Sequence, residues 1–102
     1  MEFGLFKITT ATTTTLIAKG QKAGNVKSIR ITNAHDANII FVSLFLDDDT
    51  NQTYFFKKNI LYPGQNIFLD SGVSFNNAAL GLKLTTEVVF TGDAVNTNVI
   101  VK

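Results

Sequence analysis

Cysteine is absent from this 102-residue chain, which excludes disulfide frameworks, thiolate zinc sites and cysteine nucleophiles. That absence fits folding in a reducing cytoplasm. Tryptophan is absent as well, and histidine occurs once, as His35. One histidine without cysteine does not furnish the usual structural zinc site. Glutamate occurs only at Glu2 and Glu87, too few for the paired buried acids of a glycoside hydrolase. Charge is scarce: nine basic and eight acidic residues leave a net +1. Nucleic-acid binding draws on a basic excess that neutralises phosphates, so no nucleic-acid partner is expected. No apolar run approaches the ~20 residues of a membrane span. The longest, Ile39 to Leu46, is interrupted by Ser43. The opening MEFGLFKITT carries no basic segment followed by a long apolar one, so neither a signal peptide nor a membrane partner is expected.

What is present is apolar and β-prone. Hydrophobic residues make up 45% of the chain, well outside the disordered regime. The length suits one domain spanning 1–102, burying about 60% of its unfolded surface. Thr, Asn, Val, Ile and Phe dominate, and β-branched and aromatic residues suit a pleated, half-buried surface. No window carries apolar residues at helical spacing, so no helix longer than two turns is expected. Short runs instead recur every eight to twelve residues between turn signals. They are Leu5–Thr9, Thr12–Ala18, Val26–Asn33, Ile39–Leu46, Thr53–Lys58, Asn66–Leu69, Val73–Phe75, Leu80–Phe90 (broken by Gly81) and Asn98–Val101. Residues 1–12 read as an N-terminal arm or an edge strand. The fold expected is an all-β antiparallel sandwich, jelly-roll or immunoglobulin-like, of about eight strands.

Alternation within the strong strands assigns Ile29, Ile31, Ile40, Val42, Leu44, Leu82 and Leu84 to the core. The Ile39–Leu46 strand is apolar on both faces, since Ile39, Phe41 and Phe45 oppose Ile40, Val42, Leu44 and Leu46. The next strand carries adjacent Phe55 and Phe56. Phe41, Phe45, Phe55 and Phe56 are therefore the candidate protein-interface residues. Three coverings are open for this second face: a loop, another subunit, or the Met1–Phe6 segment with Phe3 and Phe6. Large exposed apolar patches are unusual on monomers, and a homo-oligomer is expected.

Chemistry is thin. The loop Asn33–Asn38 around His35 reads as a turn whose polar side chains bond their own backbone. Asp47-Asp48-Asp49 reads as a solvated hairpin balanced by Lys57-Lys58; its spacing is not that of an EF-hand, and weak Ca²⁺ binding is the alternative. The Thr12–Thr15 tract lacks the regular repeat of an ice- or glycan-binding face and reads as an exposed edge strand or an extended arm. Tyr62-Pro63-Gly64-Gln65 reads as a turn with Gly64 at positive φ. No catalytic residue, metal ligand or cofactor is assigned, and no enzyme activity is expected.

The stretches TTTTLIAKGQKAGNVKSIRITNAHDANIIFVSLFL, LYPGQNIFLDSGVSF and ALGLKLTTEV resemble a small β-sandwich module of tailed-bacteriophage virion proteins. The resemblance runs from Thr13 to Glu87, about three quarters of the chain. It departs at Lys19-Gly20-Gln21, where the family often carries proline. It implies a virion structural protein assembled in the bacterial cytoplasm, most simply a capsid decoration protein. Such a protein would contact the major capsid protein and its own copies, with a trimer favoured by the class. A neck, collar or tail-associated protein is the neighbouring reading. A carbohydrate-binding module using Tyr54 and Tyr62 is the alternative of another class.

Overall fold

The computed structural model describes residues 4–21 and 26–102. Eight strands form and, among the described residues, no helix: β1 (Gly4–Ile8), β2 (Thr13–Ile17), β3 (Ile29–Asn33), β4 (Ile40–Asp47), β5 (Gln52–Leu61), β6 (Asn66–Leu69), β7 (Gly81–Val88) and β8 (Thr97–Val101). They build two four-stranded antiparallel sheets, in the orders β1-β8-β3-β6 and β2-β7-β4-β5. The pairs β1–β8, β2–β7, β3–β6 and β4–β5 nest inside one another around the β4–β5 hairpin. This is the strand order of a jelly roll, in which a long antiparallel ribbon rolls into two facing sheets. It decides between the two sandwich types the sequence leaves open.

Alternation positions the core. β3 buries Ile29 and Ile31 and turns Arg30 and Thr32 outward, while β8 buries Val99 and Val101 and turns Asn98 and Ile100 outward. The seven expected core residues are all 0% exposed, so the expected register is correct in both sheets. Val26, Val73 and Val95 join the core from connecting segments. Val73–Phe75, expected as a strand, is irregular instead: Val73 is buried, but the segment has no ladder partner. Gly81 opens β7 rather than breaking it, and a Cβ there would stand 3.2 Å from the Ile17 carbonyl oxygen. The Tyr62–Gln65 turn forms as expected, with Gly64 at φ 82° and the Gln65 N–H donating to the Tyr62 carbonyl at 3.0 Å.

Residues Gly4–Ile8 form an edge strand rather than a free arm; Met1–Phe3, including Phe3, lie outside the described residues. β1 pairs with β8 in the sheet opposite β4, and Phe6 turns inward against the core. The described part of the Met1–Phe6 segment therefore does not cover the outer face of β4. The Thr tract forms the edge strand β2, where Thr13 and Thr85 hydroxyls meet at 2.9 Å.

Candidate protein-contact faces

The four phenylalanine candidates lie on β4 and β5 of the β2-β7-β4-β5 sheet, and the structure treats them unequally. Phe45 is 3% exposed within the single chain. Tyr54 lies across the ladder from it with ring centroids 5.1 Å apart, and Lys83 opposes it on the other side. Lys83 is held there by Asp47 at 2.8 Å. β5 departs from plain alternation beside Leu44 and Phe45, where the register shifts twice. A bulge puts an extra residue into one strand and re-aims its side chains, and Phe55 and Phe56 both pack, half-buried, against the core cluster. The expected patch of Phe41 and Phe45 with a Phe55 or Phe56 partner is corrected accordingly. Phe41 remains, half-buried in a row with Ile60 and Glu87, and Ile60 is exposed. Strict period-2 reading misses this, because bulges leave no composition signal of their own.

The acidic hairpin is bound up internally. Asp47 accepts from Lys83 and from the Asp49 N–H, and Asp48 accepts from the Asn51 and Thr50 N–H groups. Lys19 reaches Asp49 at 2.7 Å. The counter-ions are thus Lys83 and Lys19, not Lys57 and Lys58 as expected. Lys57 stands 5.0 Å from the Tyr54 ring centre, and Lys58 sits at φ 54° with its N–H on Ser43 Oγ. The Lys83 ammonium and then the Asp49 N–H hold the Asp47 carboxyl below its ordinary value; the Asn51 and Thr50 N–H groups do so for Asp48. A depressed carboxyl stabilises the fold above its unfolded value of 3.8, and that contribution disappears as pH falls through the folded value. Thermal melts between pH 6 and pH 2 are therefore expected to show an acid limb below roughly pH 4. Asp48→Asn, which keeps the acceptor but cannot titrate, should flatten part of that limb. An unchanged limb would show that these carboxyls do not couple to folding.

His35 has a structural task. Its Nδ1 accepts the N–H groups of Ala37 and Asn38 at 3.0 and 2.9 Å, which places the ring proton on Nε2. The turn reading of this loop is the one its hydrogen bonds describe. His35→Ala is expected to cost about 1–2 kcal/mol by leaving two N–H groups without that acceptor, readable as a lowered urea midpoint. No group of three or more His, Asp or Glu side chains that could hold a metal comes together among the described residues. Tyr54 and Tyr62 sit at opposite ends of β5, roughly 25 Å apart by strand rise. Tyr54 is already engaged by Phe45 and Lys57, so the two tyrosines do not build one sugar platform.

The opposite face was not singled out by the sequence reading. Across β1-β8-β3-β6, Leu5, Ile100, Arg30 and Phe68 fall in one row, and Lys7, Asn98, Thr32 and Asn66 in the next. Leu5 is 68% and Phe68 47% exposed. The Arg30 guanidinium lies 4.3 Å from the Phe68 ring centre and donates to Asn66 Oδ1 at 3.2 Å. A hollow of about 300 Å³ opens between Leu5 and Ile100, and one of about 170 Å³ between Ile100, Arg30, Phe68 and Lys102. The signal was available: Arg30 between Ile29 and Ile31, and Phe68 between Ile67 and Leu69, share the outward parity of their strands.

A third exposed apolar point is Phe90, 72% exposed in the turn after β7, beside Val89 and Ile39. No family model, no curated protein and no solved structure matches this chain.

Proposed function

We propose that this protein is a non-enzymatic structural component of a tailed-bacteriophage virion, of the capsid-decoration type. The observation that carries the reading is the distribution of exposed apolar side chains on a rigid two-sheet body. Leu5 and Phe68 stand on one sheet face, Ile60 beside Phe41 on the other, and Val89 and Phe90 at one end. Contact surfaces are built from such residues, with a hydrophobic centre and a polar rim. The sequence resemblance between Thr13 and Glu87 supports the virion setting. The jelly-roll strand order is also used by viral capsid domains, though it serves lectin domains equally, so fold analogy alone does not choose.

In this reading the Phe41–Ile60 row joins copies of the chain, with a trimer as the expected state. Burying apolar area is worth ~25 cal/mol per Å², and a carboxylate placed in that contact would be desolvated without a partner. Light scattering at micromolar concentration should give a trimer for the wild type and a monomer for Phe41→Asp, with β-type circular dichroism in both. A monomeric wild type overturns the self-association. Mass spectrometry of purified particles tests the setting: hundreds of copies indicate the shell and a handful the neck or tail. Absence from particles overturns the virion reading.

A further inference from the structure

We propose that the outer face of β1-β8-β3-β6 docks a protein surface bearing a carboxylate two residues from a large apolar side chain, with Arg30 as the carboxylate anchor. This rests on the reading that the protein works through surface contacts. None of the eight outward positions in the two rows is acidic, while Lys7 and Arg30 are basic. Lys102 borders the smaller hollow. Among the described residues, neither Arg30, Lys7 nor Lys102 takes part in an ion pair; the two that form are Lys19–Asp49 and Lys83–Asp47. Arg30 is nonetheless held in place, over the Phe68 ring and tied to the neutral amide of Asn66. That arrangement presents a planar fork of donors suited to a carboxylate, with little side-chain order left to lose on binding.

The two hollows set the spacing. The apolar one lies over β1 and β8; the one with Arg30 and Lys102 runs from β8 across β3 to β6, and Ile100 borders both. Their centres lie between one and two strand spacings apart, about 7 Å, which an extended chain covers in two residues, and side chains two positions apart point to the same face. Charge then selects the occupant. A second copy docked face to face would set Lys7 and Arg30 against two rows that hold no carboxylate, leaving both cations without a counter-charge. A phosphate backbone asks for several cations in sequence, whereas here they are interleaved with Leu5, Ile100 and Phe68. A carboxylate beside an apolar side chain satisfies both hollows.

The test is a titration of the ¹⁵N-labelled full chain with a short acetylated peptide carrying phenylalanine and, two positions on, glutamate. Amide shifts are expected at Leu5, Arg30, Phe68 and Ile100, weakening about tenfold, or 1.4 kcal/mol, when the glutamate is replaced by glutamine. Arg30→Lys, which keeps the charge but not the fork, should weaken binding too, and Leu5→Ser should weaken it without altering the glutamate preference. Shifts that map elsewhere, or that are equal for the glutamine peptide, overturn the proposal. Tighter binding of oligothymidylate or phosphatidylglycerol vesicles through Arg30 also overturns it, and so does self-association abolished by Arg30→Glu. If the protein is abundant in particles yet Arg30→Glu is incorporated normally, this face is wrong and the virion reading stands.

Discussion

Asn33→Ala is expected to lower stability by about 3–4 kcal/mol, more than most polar substitutions, because every polar group of Asn33 is in use. Asn33 is the last residue of β3 and is 0% exposed. Its Nδ2 donates to the Asn38 and Leu61 carbonyls, both at 2.9 Å, and its Oδ1 accepts the His35 N–H at 3.1 Å. Its backbone N–H reaches the Gln65 carbonyl, and its own carbonyl accepts from Gly64. Leu61 ends β5 in the opposite sheet, so one amide ties the two sheets together at this end of the roll. Removing it strands two carbonyls and one N–H group, each costing about 1–3 kcal/mol where water cannot reach.

Asn33→Asp should be worse at neutral pH, since it aims a buried carboxylate at two carbonyl oxygens. Burial favours the neutral acid, so the folded pKa of that new carboxyl is raised above its unfolded value of about 3.9. The variant is then at its best below that value and loses stability as pH rises through the folded one. Its pH dependence runs opposite to the acid limb expected for the wild type. Chemical denaturation at pH 4 and pH 7 checks the sign. Equal loss at both would show that the side chain escapes to solvent.

Leu44→Ala is expected to cost about 3–4 kcal/mol, from lost burial and the cavity left behind. Leu44 is 0% exposed at the middle of β4, between Leu84 of β7 and Phe56 of β5. For a domain of this length the loss corresponds to a melting temperature lower by roughly 15–25 °C. That is a large part of a total of about 5–15 kcal/mol. Leu5→Ser, at a position 68% exposed, should shift the melt by only a few degrees and serves as the contrast. Similar losses for the two would mean that Leu5 is covered in solution, and the outer face of β1 would then already be an interface.

The core was legible because burial and period 2 report the same thing in β3, in β7 and along Ile40, Val42 and Leu44 of β4. Where each second side chain is branched and apolar, only one register puts it inside. The turn at Tyr62–Gln65 was legible for a local reason, since proline and glycine set its φ angles unaided. The phenylalanine face was not. Phe45, Phe55 and Phe56 read in sequence as surface candidates, yet register shifts in the β4–β5 ladder and the Lys83–Asp47 pair decide their cover. The ion pairs of the acidic hairpin join residues 36 and 30 positions apart, a distance over which spacing carries no information.

The sequence alone determined an all-β, cysteine-free, weakly charged domain and the alternating core residues of β3, β4 and β7. These follow from composition and short-range alternation, which act on each strand separately. The tertiary structure decided the roll. It nested β1 with β8 and β2 with β7, chose the jelly-roll order over the immunoglobulin one, and assembled Leu5, Ile100, Arg30 and Phe68 into one row from four separate strands. Pairing between strands distant in sequence depends on the fit of whole sheets, not on the pattern within any one of them.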